Sequence, residues 1–153
     1  MESELSSREE PASAAPTEQR PTLIETLRRF EAAHARGSLE KMRACFHDDA
    51  IIESVASGSR ALGPDETAFA LGEALRDGVY MIYGWRYEEL TPDVVLTITR
   101  ARHRVGDRAV RDEAIYRLIS GRDGLMWRAR VFRSRSKALA AFAEHGPSLG
   151  IED

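Results

Sequence analysis

Cysteine is almost missing from this sequence. Cys45 is the only one among 153 residues, which excludes an internal disulfide and a cysteine-built zinc site. The expected compartment is therefore the reducing cytoplasm. Lysine is nearly as scarce. Lys41 and Lys137 are the only two, so 20 of the 22 basic residues are arginines. That bias reads either as GC-rich coding or as arginines kept for planar, bidentate contacts to an anion. An excess of one charge sign is missing too: 22 basic residues stand against 25 acidic, for a net charge of −3. Near-neutrality argues against a general nucleic-acid binder. No stretch reaches the about 20 apolar residues of a membrane span, and no basic-then-apolar leader opens the chain. What is present, 42% hydrophobic and 31% charged residues, fits one globular domain.

Residues 1–20 lack large apolar side chains, Leu5 being the only large aliphatic one after Met1. Such a segment buries too little surface to offset its ordering entropy, and it reads as a disordered tail. The domain is expected over 21–146, with 147–153 as a short C-terminal tail. Leu23, Leu27, Phe30 and His34 recur at helical spacing, behind Pro21 and before Gly37. Ser38 caps a second helix, His47-Asp48-Asp49 reads as a turn, and Ala50–Val55 as a strand. The segment 57–64 reads as a loop, and Asp65 starts a third helix running to about Arg76.

From Val79 the period changes to two. Strands are expected over Val79–Glu89, Val94–Val105, Arg108–Ile119 and Leu125–Arg133, followed by a closing helix over 136–145. Gly106-Asp107 reads as a two-residue hairpin turn, which sets Val105 against Arg108. This register puts Thr97, Thr99, Ala101, His103, Asp112, Ala114, Tyr116 and Leu118 on one face. Leu96, Ile98, Arg100, Arg102, Ile115 and Arg117 fall on the other. Tyr83, Trp85 and Tyr87 share one face of the first long strand, and Trp127 the inner face of the last. One flaw is visible: Arg102 lands opposite Arg111, an unfavourable pair. The element order predicts an α+β fold, three N-terminal helices on one face of a curved, mostly antiparallel sheet, with a C-terminal helix.

Two segments carry a resemblance. LRRFEAAHARGSLEKMRACFHDDAIIE runs helix, glycine turn and helix into a Phe-x-Asp-Asp-Ala entry to a strand, and YRLISGRDGLMWRARVFRSRSKALAAF ends in an Arg-rich strand and a helix. In both the chain resembles ketosteroid isomerase-like and SnoaL-like proteins of the nuclear transport factor 2-like superfamily. The resemblance covers about residues 22–146. It implies a cone-shaped fold, a small-molecule pocket between sheet and helices, and a homodimer formed through the outer sheet face. It does not imply one activity, since the group includes isomerases, cyclases, dehydratases, epoxide hydrolases and binding domains. The isomerase positions fall on Ser54, Phe30 and Ala114, none of which supplies the carboxylate base or acidic donors that chemistry needs. An Asp-Arg-Asp arrangement is absent as well, the strand reading Arg100-Ala101-Arg102-His103.

The residues that remain suggest general acid–base chemistry on an apolar, oxygenated substrate. His103 would be the acid or base and Asp112 its orienter. Tyr83 and Tyr116 would donate to a substrate oxygen, with Trp85, Trp127, Thr99 and Ser54 lining the site. The alternative is a non-catalytic binding or dimerisation module. No metal is expected, because no two histidines have ligand spacing with a carboxylate. No cofactor is expected either, since Gly58, Gly63 and Gly72 fit no phosphate loop. The expected partners are a small hydrophobic ligand and a second copy of the chain, with neither nucleic acid nor membrane.

Overall fold

The computed structural model describes residues 20–55, 58–67, 80–105 and 109–152, with all side chains among them except those at 80, 81, 103–105 and 109–111. The tail expected over residues 1–20, apart from Arg20, and most of the third helix, whose helical residues 63–67 are described, lie outside this set. Helix α1 spans Leu23–Arg36. Its start is a reciprocal capping box: the Glu25 N–H donates to Thr22 Oγ1 at 3.2 Å, and the Thr22 N–H donates to Glu25 Oε1 at 2.9 Å. Gly37 ends it in the left-handed conformation, φ +68°. Leu23, Leu27, Phe30 and His34 are all buried, one stripe facing the sheet. A short α2 follows over Leu39–Arg43, capped by Ser38.

Six strands form one sheet: β1 (Phe46–Ser54), β2 (Arg60–Leu62), β3 (Tyr80–Thr91), β4 (Val94–Val105), β5 (Ala109–Arg122) and β6 (Leu125–Phe132). Their order is β2-β1-β6-β5-β4-β3. β1 runs parallel to β6 and every other pair is antiparallel. The expected turn at His47–Asp49 is part of β1, and β2 lies inside the expected loop, paired with β1 from Ile51↔Leu62 to Glu53↔Arg60.

The largest correction concerns the central hairpin. Val105 pairs with Ala109, not Arg108, so three residues separate the strands and every β5 residue shifts by one. A one-residue slip exchanges the two faces. Arg117 now opposes Thr97, Ile115 opposes Thr99, and Glu113 opposes Ala101. Tyr116 opposes Ile98, Ala114 opposes Arg100, and Asp112 opposes Arg102. The arginine clash of the two-residue reading disappears, replaced by an acid–base pair. In β3 the register shifts between Tyr83 and Arg86. Gly84 stands there at φ +67°, so an extra residue is accommodated as a β-bulge. Tyr83 opposes Arg100 while Tyr87 opposes Thr97, which places the two tyrosines on opposite faces. A further shift between Ser120 and Gly121 brackets Trp127 in β6.

Both faces of the sheet are covered. On the concave face α1 and α2 bury Leu27, Phe30, Met42, Phe46, Ile119 and Ala129 in one core. On the outer face α3 (Arg135–His145) covers Leu96, Ile98, Leu118 and Phe132 in another. The two described N-terminal helices thus share one face, and the C-terminal helix covers the other. The end of the chain is no tail: Leu149 is 0% and Ile151 4% exposed. Arg130 donates to the Leu149 carbonyl at 3.0 Å, and Arg60 to the Glu152 carbonyl at 3.3 Å. Both arginines meet Glu53, at 3.5 and 2.6 Å, in a row across β2, β1 and β6. No helix among the described residues is long and apolar enough to cross a membrane.

Two glycines grade the cost of left-handed backbone. At Gly84 a Cβ would have 3.9 Å to the Arg100 side chain, so Gly84→Ala carries mainly the conformational cost, about 1–2 kcal/mol. At Gly124, φ +77°, a Cβ would lie 2.1 Å from the Pro21 carbonyl oxygen. The Thr26 hydroxyl also donates to the Gly124 carbonyl, tying α1 to the β5–β6 turn. Urea unfolding is expected to show Gly124→Ala losing clearly more stability than Gly84→Ala.

Candidate functional site

The concave face and α1 enclose a cavity of about 370 Å³. Its floor follows from strand alternation and the registers above. Ser54, Val131, Arg117, Thr97 and Tyr87 form one row across β1, β6, β5, β4 and β3. The next row is Ile52, Ala129, Ile119 and Val95. Leu27 and Phe30 of α1 form the opposite wall, and Trp85, Ile82 and Ile115 close one end. Phe30 meets Phe46 edge-on at 5.7 Å and Trp85 at 6.1 Å, geometry that aromatic quadrupoles favour.

The cavity is apolar except along its central row and at the edge where Ser59, Arg60 and Thr67 join the lining. Thr97 is 0% exposed, and its hydroxyl has no hydrogen-bond partner among the described residues. Arg117, half-buried, donates from Nη1 to the Thr99 hydroxyl at 3.5 Å. His34 sits nearby, its ring 5.9 Å from Trp85. Burial lowers the His34 pKa first, and the positive charge of Arg117 lowers it further. At the β3 end of the row the Tyr87 hydroxyl donates to Glu31 at 2.5 Å. Burial and that carboxylate push the phenol well above its ordinary range. Cys45 is buried against this core, and burial raises its thiol, which makes it a packing residue.

The expected site residues are scattered by the register. Ser54 and Trp85 line the cavity, and Thr99 stands on its face beneath Arg117. His103 opposes Arg111, and Asp112 opposes Arg102, one position along. Alternating positions project to opposite faces, so positions 103 and 112 fall on different faces of the hairpin; the His103 side chain, and with it any contact to Asp112, lies outside the described residues. The Asp112 carboxylate is engaged on the outer face by the Tyr83 hydroxyl, by Arg100 at 3.0 Å and by Arg102 at 3.3 Å. The Tyr83 hydrogen bond and then the two arginines hold it below the usual carboxylate range. Tyr83 is thus a partner of Asp112, not a cavity donor. Tyr116 packs into the outer core. Trp127 leaves the cavity for a groove beside Asp49 and Leu62, stacked between Arg122 and Arg128 at 3.9 and 4.1 Å. Arg117, assigned to the outer face by the two-residue turn, is the cation the sequence reading misplaced. The signal that locates it is the Arg102–Arg111 clash, which a three-residue connection removes. Among the described residues no group of three or more His, Cys, Asp or Glu side chains is placed to hold a metal ion.

No protein-family model and no curated protein matches the sequence. The folded chain is nevertheless similar to solved structures. TerC, co-crystallised with polyporic acid, aligns at a TM-score of 0.63 and 17% identity, over 80% of this chain and 95% of its own. A nuclear transport factor 2-like protein from Burkholderia xenovorans LB400 aligns at 0.61 and 18% identity, over 79% and 96%. A protein of ketosteroid isomerase-like fold from Catenulispora acidiphila, in complex with trimethylamine, aligns at 0.60 and 14% identity, over 76% and 90%. The chain therefore has the nuclear transport factor 2-like fold, shared with ketosteroid isomerase-like proteins. At these identities the likeness is one of architecture.

The buried histidine sets a pH dependence. A His pKa depressed by folding means the unfolded chain binds the proton more readily. Stability is then full above the ordinary value near 6.5 and falls as pH drops below it. Urea unfolding of the wild type at pH 7.5 and 5.5 is expected to show a loss on acidification, reduced in His34→Gln.

Proposed function

We propose that the chain is a binding protein for a small, largely apolar molecule, enclosed between α1 and the concave face of the sheet. The observation that carries this reading is the cavity itself: about 370 Å³, within the size range of small-molecule sites, apolar on most sides, with a few convergent polar groups. A filled hydrophobic core would leave no such space, because protein interiors otherwise pack like crystals. The fold alone does not select the ligand, since one neighbour holds trimethylamine and another polyporic acid. Selection must come from this chain's own lining.

Binding is favoured over catalysis by His103 and Asp112 because the hairpin register sends the two positions to different faces. None of the described lining residues is a carboxylate, so no general base of that kind stands in the described part of the wall. The proposed setting is a cytoplasmic homodimer. The second copy would meet the outer face around Tyr83, Arg86 and Arg100, on the β3 and β4 side of the sheet.

The test uses N-phenyl-1-naphthylamine, a neutral dye that brightens in apolar surroundings, together with native mass spectrometry of the protein as purified. We expect saturable binding at one site per chain, or a reproducible small-molecule mass already present. Ala129→Phe projects a ring into the cavity floor and is expected to weaken dye binding at least tenfold, with cooperative unfolding retained. Equal dye binding by the folded variant, or no saturable binding by the wild type, would remove the reading.

A further inference from the structure

One hydroxyl in the cavity wall has nothing to bond to. Thr97 stands on β4 in the interior of the sheet, between Arg117 on β5 and Tyr87 on β3. It lines the cavity and is 0% exposed, and its Oγ1 has no hydrogen-bond partner among the described residues. Buried hydroxyls are normally satisfied, and a bare one is kept at the cost of its desolvation.

The hydroxyl and guanidinium groups elsewhere in the described lining are placed differently. The Thr67 hydroxyl donates to the Gly63 carbonyl at 3.0 Å. Arg60 is bound to Glu53 at 2.6 Å and reaches the Glu152 carbonyl at 3.3 Å. Arg117 donates to Thr99 at 3.5 Å and has a further contact, and Ser59 is engaged as well. Both guanidiniums therefore have partners within the protein. Ser54 shares the row but stands three strands away on β1, about 14 Å at the usual strand spacing. Thr97 is thus the fully buried polar group of the described lining that a ligand would satisfy.

A hydroxyl both donates and accepts. A carbonyl, an ether or a carboxylate only accepts, and would leave the oxygen of Thr97 without a donor. A second hydroxyl does both, and it is neutral, which suits a wall whose cations already have partners. Resting on the binding role proposed above, we infer that the ligand is an apolar alcohol whose hydroxyl is held by Thr97. The hydrocarbon body would lie against Ile119, Leu27 and Phe30. Ser120 supplies a contrast: its hydroxyl is also buried and unpartnered, but it is not part of the described lining.

The test displaces N-phenyl-1-naphthylamine at pH 7.5 with 2-naphthalenemethanol and with 2-ethylnaphthalene, which match in size and differ by one hydroxyl. The quantity read is the ratio of the two affinities. Thr97→Val is expected to weaken the alcohol about fivefold, the worth of one net hydrogen bond, and to leave the hydrocarbon within about twofold. Thr97→Ser, which keeps the hydroxyl, should hold the wild-type ratio within about twofold. Ser120→Ala should leave both affinities unchanged. In the ligand-free protein Thr97→Val should raise the urea midpoint, because an unsatisfied group is removed. If the valine variant does not fold, Thr97→Ala against Thr97→Ser carries the comparison. An unchanged ratio in Thr97→Val, or a loss that falls on both compounds alike, would overturn the alcohol assignment while leaving the cavity as a binding site. A lowered midpoint would mean that the hydroxyl is already bonded inside the protein, and dye displaced by neither compound would mean that neither enters; each would overturn the assignment alone. No saturable dye binding would remove the assignment and the binding role together.

Discussion

The pairing of β4 with β5 decides what the cavity contains. Twelve residue pairs join the two strands, from Val94↔Ser120 to Val105↔Ala109. Each pair commits two side chains to one face, and the pleat leaves no intermediate choice. Thr97 and Arg117 meet on the concave side because Leu96 and Leu118, both 0% exposed, meet on the other. The buried apolar pairs thus hold the polar row in place. Moving Arg117 out of the cavity would bring Leu118 into it and take that leucine from the outer core.

Much of the architecture is legible in the sequence. The spacing of Leu23, Leu27, Phe30 and His34 places α1 and its buried stripe, and the change of period near Val79 marks the long strands. The α+β class follows from these patterns, and the nuclear transport factor 2-like fold is what the resemblance of two segments implies. The site is less legible, because its residues depend on alternation counted across turns. Gly106-Asp107 is a common two-residue turn signal, yet the strands join through three residues. Gly84 looks like a residue within a regular strand, yet its positive φ admits a bulge that parts Tyr83 from Trp85. Trp127 has the spacing of a wall residue, yet the register shifts beside it. Ser54 and Trp85 line the cavity, and neither position depends on the β4–β5 count.

The arginines divide by what they touch. Arg60 and Arg130 clamp Glu53 and reach carbonyls of the C-terminal segment. Arg128, 3% exposed, donates to the Asp49 carbonyl at 2.6 Å and stacks on Trp127. Arg135 makes a two-pronged contact with Glu88, at 2.6 and 3.0 Å, joining α3 to β3. These contacts use the length and planarity of the guanidinium to fasten elements at the rim of the sheet. Arg117 stands instead in the interior of the sheet, and it and Arg60 both line the enclosed space.

One sheet separates two cores that share few side chains. The inner core is cut away to make the cavity, while the outer core, closed by α3, Leu149 and Ile151, is filled. The consequence is a division of labour under mutation. Changes to the inner lining alter the shape of the cavity while the outer layer continues to supply apolar burial. The same architecture recurs in solved structures at 14–18% identity, where little of the inner lining need be shared for the scaffold to hold.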